Sequence, residues 1–238
     1  MKKILILPFV IFTIILNGQI ITNRVADPAT YLKDLKTEMH KEWPKNRIIN
    51  LVFHGHSVPA GYFKTPKVNT ISAYPNLVLR KLKEIYPFAV MNVIVTAIGG
   101  ENSIKGAERF ETEVLVHKPD LLFIDYSLND RGPGLEKAYI AWDKMIKKAK
   151  SLGIKVILLT PSPDQTVNYA DPENLLKKHA EQVCRLAAEN QVGLADSYMA
   201  FEFLYSDKDQ LQKYMSQVNH PNEAGHELIA DEIMKWLK

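Results

Sequence analysis

The sequence predicts an α/β fold, a three-layer α/β/α sandwich around a flavodoxin-like, five-stranded parallel sheet. Three observations predict it. Short apolar runs rich in Val, Ile, Leu and Phe recur along the chain. Amphipathic stretches of helical spacing alternate with them. Blocks of polar, chemistry-bearing residues follow the apolar runs, where a sheet of this kind gathers its ligand site.

The elements follow in order. Lys2 and Lys3 precede an apolar run from Ile4 to Leu16, and Asn17-Gly18-Gln19 then offers a small residue for cleavage. This is a signal-peptide pattern, too short for a comfortable membrane span, so residues 1–19 are set apart and the folded part is expected outside the cytoplasm. Residues 29–43, "ATYLKDLKTEMHKEW", carry helical spacing that ends at Pro44. Residues 48–53 read as the first strand, 71–86 as a helix with Pro75 near its start, and 89–96 as the second strand. A helix at 104–116 precedes the third strand, "LLFIDY", at 121–126. A helix at 134–151, closed by Gly153, leads to the fourth strand at 154–159. The loop at 160–173 is rich in turn residues. A helix at 172–190, a short strand at 192–196 and a terminal helix at 223–237 complete the order, with residues 20–238 expected as a single domain.

Composition narrows the function classes. Lys and Arg number 30 against 27 Asp and Glu, for a net charge of +3. That balance gives no clustered basic footprint for nucleic acid, and the lysines between 144 and 150 read as a solvated helix face. Cys184 is the single cysteine, so no internal disulfide can form; its position on an amphipathic helix reads as a core thiol. "IGGENSIKG" lacks the G-x-G-x-x-G spacing and follows the wrong strand, so no nucleotide cofactor is expected. His54 and His56 would share a face of an extended strand, but no H-E-x-x-H pattern accompanies them, and no metal is expected.

The strand ends carry "HGHS" (54–57), "AIGGENS" (97–103), "SLND" (127–130) and "TPSPD" (160–164), and "NHPNEAGH" (219–226) precedes the last helix. Ester hydrolysis needs an exposed hydroxyl on a turn, a base within reach and donors for the oxyanion. Ser57 after Gly55 suits the first, His220 the second, and Gly100 with Asn129 the third. Ser57 is equally compatible with a plain turn or a helix cap, Asp130 reads as structural, and His226 as a support for its loop.

These blocks, in this order, resemble those of the SGNH/GDSL hydrolases, and the likeness to carbohydrate-esterase members is the nearer one. The resemblance covers nearly all of the chain after the export segment. It implies a serine esterase with Ser57 as nucleophile, His220 as general base, and an oxyanion hole of the Ser57 N–H, the Gly100 N–H and the Asn129 side chain, with no cofactor. Three positions depart from the family pattern. His56 stands where the family has aspartate, and Ser127 where it has glycine. Gln217 stands where it has the triad aspartate, three residues before the histidine. Gln217 is therefore a candidate to orient His220 through its amide or backbone carbonyl, unless Asp207, Asp209 or Glu101 supplies an acid. The implied substrate is a small acyl ester, in the first place an O-acetyl group on carbohydrate, with Tyr62, Tyr126 and Tyr169 as candidate platforms for sugar rings. A lipid or aryl esterase and a catalytically weak glycan-binding protein on the same scaffold are the alternatives. The oligomeric state is not encoded in any motif.

Overall fold

The computed structural model describes residues 24–238; the export segment lies outside them. The elements, in chain order, are α1 (Lys33–Met39), β1 (Ile48–Gly55), α2 (Ser57–Ala60), α3 (Tyr74–Ile85), β2 (Val90–Val95), α4 (Ser103–Glu108), β3 (Leu121–Asp125), α5 (Leu135–Ser151), β4 (Lys155–Leu159), α6 (Leu175–Asn190), β5 (Gly193–Ala195), α7 (Ser197–Ala200), α8 (Lys208–Gln212), β6 (Met215–Gln217), β7 (His220–Pro221) and α9 (Glu223–Leu237). Strands β1 to β5 form a parallel sheet in the order β2-β1-β3-β4-β5, and helices cover both faces. The three-layer α/β expectation is met.

The apolar runs are continuous because both faces are buried. Leu51 and Phe53 of β1, Phe123 of β3 and Ile157 and Leu159 of β4 pack toward α3 and α9. Their neighbours Val52, Leu122, Ile124, Val156 and Leu158 pack toward α4 and α5. Each such side chain contributes about 1.5–3 kcal/mol relative to exposure. Strand β2 alternates between exposed and half-buried positions, as an edge strand does.

The predicted helix at 104–116 ends early. Its α-helical part stops at Glu108, and the chain continues as a wider π-type turn at Phe110–Val114. Arg109 at the junction is drawn inward, its guanidinium bonded to Glu101 and to the Thr96 carbonyl. The helix expected at 29–43 contracts to Lys33–Met39, and the one expected at 172–190 begins at Leu175, where the Asn174 side chain accepts from the Lys177 N–H. Four short elements carry too few residues to show a period: α2, α7, α8 and the β6–β7 hairpin.

The first strand stops at a tight junction. A Cβ on Gly55 would lie 2.4 Å from the Asp125 carbonyl oxygen and 2.8 Å from Pro59 Cγ. Only glycine lets β1 approach β3 this closely while the chain turns into α2.

Candidate active site

Ser57 opens α2, directly after the end of β1. His56 is the N-cap, and its Nδ1 accepts from the Val58 N–H at 3.2 Å. That bond leaves the ring proton on Nε2, which lies 3.3 Å from Asp125 Oδ1 without the alignment of a hydrogen bond. Asp125 accepts from the Tyr74 hydroxyl at 3.0 Å, and the Tyr74 N–H donates to His226 Nδ1 at 3.2 Å. The turn that carries Ser57 thus rests on a buried polar chain. His56, where the resembling family has an acid, faces an acid supplied by β3 instead.

The β6–β7 hairpin brings His220 over Ser57, with His220 Nε2 2.8 Å from Ser57 Oγ. Both residues are 7% exposed. His220 Nδ1 meets two groups of opposite demand. The Phe63 carbonyl, at 2.9 Å, can only accept; the Gln217 amide nitrogen, at 2.7 Å, can only donate. Thr65 holds the amide this way round, because its N–H donates to Gln217 Oε1 at 2.9 Å. Bonding to Phe63 keeps a proton on Nδ1 and frees the Nε2 lone pair toward Ser57, whereas bonding to Gln217 does the reverse. Burial lowers the His220 pKa below its ordinary value, the Phe63 bond raises it in part, and nearby His56 lowers it further.

The expected acids are engaged elsewhere. Glu101 pairs with Arg109 at 2.5 Å and accepts from the Tyr126 hydroxyl at 2.7 Å. Burial works against its charge, but the bonds from Arg109 and Tyr126 hold its pKa below the usual carboxylate value. Asp207 caps α8 by accepting from the N–H groups of Asp209 and Gln210, and Asp209 lies exposed in the first turn of that helix. Among the described residues, the hydrogen-bond partners of the His220 ring are Ser57, Phe63 and Gln217.

Gly100 and Asn129 stand with Ser57, His220, Tyr62, Thr65, Gly99 and Asn219 around one open pocket of about 380 Å³. Gly100 takes φ +76° in the turn after β2, a conformation suited to glycine, and no atom lies within 4 Å of where a Cβ would stand. One Asn129 Nδ2–H donates to the Glu101 carbonyl at 2.8 Å and ties the two donor loops together. Of the three tyrosines, Tyr62 lines this pocket, Tyr126 is buried in the core, and Tyr169 stacks on Tyr205 at 3.8 Å. Tyr126 is therefore no sugar platform.

Other marked residues fall where packing puts them. His54 faces Thr96, Gly106 and Tyr126, while His56 faces Val58 and Asp125, so the two rings do not converge. Among the described residues no group of three His, Cys, Asp or Glu side chains is placed to hold a metal ion. Asp130 accepts from the Ser103 N–H and from the Trp142 indole, a structural task. Cys184 sits half-buried on α6, and burial pushes its thiol pKa up to about 12. The Phe63 carbonyl was not foreseen from sequence, because a backbone atom leaves no side-chain signal.

The pattern of the GDSL-like Lipase/Acylhydrolase family matches residues 53–228, most of the chain and every block described above. The chain belongs to that family. A two-domain esterase active on acetylated mannans superposes on this chain with a TM-score of 0.72 at 22% identity, over 92% of this chain and 55% of the esterase. The chain thus spans about half the length of that protein. An acetylxylan esterase from Geobacillus stearothermophilus superposes with a TM-score of 0.66 at 21% identity, over 79% of this chain and 94% of the other. At such identities the likeness speaks for the fold. A comparison with curated proteins finds no match. Among the described residues no helix is long and apolar enough to cross a membrane.

Proposed function

We propose that this protein is a carboxylic-ester hydrolase that removes small acyl groups, in the first place O-acetyl, from carbohydrate, with Ser57 as nucleophile and His220 as general base. One observation carries the substrate class: the pocket around Ser57 is walled by Ser, Tyr, Thr, Gly, Asn and His, with no aliphatic side chain. A long acyl chain would find nothing to bury against there, whereas an acetyl group on a hydroxyl-rich alcohol needs little apolar wall. The solved structures of esterases active on acetylated mannan and xylan, similar in fold, agree with that reading.

The proposed chemistry starts from the tautomer with its proton on Nδ1, donated to the Phe63 carbonyl. Ser57 gives its hydroxyl proton to His220 Nε2 as Oγ bonds to the acyl carbon, and the carbonyl electron pair moves onto oxygen. The N–H groups of Ser57 and Gly100, and the second Asn129 Nδ2–H, receive the oxyanion. Collapse breaks the ester C–O bond, and the Nε2 proton goes to the departing alcohol. Water, deprotonated by His220, then attacks the acyl-enzyme; the acid leaves and Ser57 regains its proton. The Phe63 carbonyl carries a partial charge where the usual aspartate carries a full one, so the imidazolium is stabilised less and turnover is modest.

Residues 20–238 act as one hydrolase domain in this reading, and residues 1–19 direct it out of the cytoplasm. Purified protein is expected to release acetate from an O-acetylated oligosaccharide and to lose rate steadily from acetyl to octanoyl esters. Ser57→Ala is expected to cut kcat/KM at least about a thousandfold. A rate that climbs with acyl length would replace the carbohydrate reading with a lipid one.

A further inference from the structure

We propose that the open groove beside the Ser57 pocket is a saccharide subsite, which holds neutral sugar units of the chain that carries the ester. The groove has a volume of about 540 Å³ and runs between the segment after β3 and the loop after β4. Asn129 belongs to its wall and to the wall of the Ser57 pocket, so the two spaces adjoin at the proposed oxyanion donor. A substrate with its carbonyl oxygen against Asn129 therefore has this groove as its neighbouring surface.

The walls state the ligand class. Asn129, Arg131, Asn168, Asp171 and Asn174 bring amide, guanidinium and carboxylate groups to a wall completed by Leu128, Val167, Leu175 and Leu176, a mixture that suits the hydroxyls and the C–H faces of a sugar. Arg131, the cation among them, is already paired with Asp164 at 2.6 Å. An anionic sugar finds no unpaired positive charge among these residues, which favours a neutral one. The groove also continues. Val167 and Asn168 belong to it and to a further, more enclosed pocket of about 390 Å³ walled in part by Tyr169 and Tyr205. Ser57 pocket, groove and further pocket lie side by side across shared wall residues, an arrangement that suits an extended chain rather than a single sugar.

This arrangement is built before ligand arrives. The Gln165 N–H donates to the Val218 carbonyl at 2.8 Å, and the Gln165 amide to the Gln217 carbonyl at 3.2 Å. Asp164 accepts from the N–H and hydroxyl of Thr166, and its own N–H donates to the Tyr169 hydroxyl. The groove wall is thereby pinned to the hairpin that carries His220, and a wall ordered in advance reduces the entropy lost on binding.

The inference rests on the proposed glycan esterase reading, and the test separates the two. Gly132 lines the groove in exposed backbone, and a Cβ there would meet only the Asn129 carbonyl oxygen, at 3.5 Å. Gly132→Trp therefore obstructs the groove with little cost to the fold, which a thermal melt verifies. The first measurement is kcat/KM on O-acetylated xylo- and manno-oligosaccharides of one to six units, divided by kcat/KM on 4-nitrophenyl acetate. The wild-type ratio is expected to rise at least tenfold with chain length, and Gly132→Trp to lose that rise. The second is calorimetric titration of unacetylated oligosaccharide into Ser57→Ala and into Ser57→Ala/Gly132→Trp, with saturable binding expected only in the former. A wild-type ratio independent of chain length, together with no saturable binding, overturns the subsite. Binding lost on obstruction, in a protein that hydrolyses no ester, upholds the subsite and overturns the esterase reading instead.

Discussion

His220 Nδ1 is the atom on which the chemistry turns. It stands between an acceptor, the Phe63 carbonyl, and a donor, the Gln217 amide, and it has no carboxylate. An imidazole buried in this way stays neutral below its ordinary value of 6.5, so, with His220 as the proposed base, the acid limb of the kcat/KM profile is expected to lie below that pH. Gln217→Glu makes both neighbours of Nδ1 acceptors while the Thr65 N–H keeps its partner. That variant is expected to move the acid limb upward by roughly one unit and to raise turnover; an unmoved profile would remove His220 from the role of base. The candidate site residues were legible in sequence because each stands after a strand or before the last helix, on a type of side chain that the chemistry demands. The acceptor for Nδ1 was not, because it is a main-chain oxygen brought in by residues 61–65, a segment with no pattern of its own.

At the scale of elements, the proposed site depends on two junctions. At the first, β1 meets β3 with no room for a Cβ on Gly55. Gly55→Ala is expected to cost about 1–3 kcal/mol in denaturant unfolding and to displace α2, with a fall in turnover larger than the loss of stability would explain. At the second, Arg109 satisfies Glu101, whose carbonyl holds the Asn129 side chain. Arg109→Met leaves a buried carboxylate without its cation and is expected to cost roughly 3 kcal/mol; adding Glu101→Gln should return much of it. The same Arg109 is why periodicity misplaced the end of a helix: 104–116 has helical spacing, but an ion pair to another loop turns the chain at 109. The longer helices and the strands were legible because burial on both sheet faces writes itself as composition. The short hairpin under His220 was not, since two residues per strand carry no alternation to read.

Across the whole molecule, burial acts most strongly on three histidines outside the proposed chemistry. Burial lowers His54 and His179 to about 4 and His226 to about 3, against 6.5 when unfolded. Below pH 6.5 the unfolded chain takes up protons that the folded chain refuses, so stability is full above that pH and falls as pH drops toward the folded values. Each histidine contributes a slope of at most about 1.4 kcal/mol per pH unit in that window. Melts between pH 7 and 5 are expected to show Tm falling through this range, and a flat Tm would mean that these rings are solvated. The sheet also sets the limits of the site, since β1, β2 and β3 each lead into the segment that carries one of its residues, Ser57, Gly100 and Asn129.

The central claim is that Ser57 is a nucleophile activated by His220, and a fluorophosphonate probe with peptide mapping tests it most directly. The expected result is one adduct per chain, on Ser57, formed at the rate at which esterase activity disappears and abolished in His220→Ala. Complete loss of activity with Ser57 unmodified, or an adduct formed as fast without His220, would contradict it.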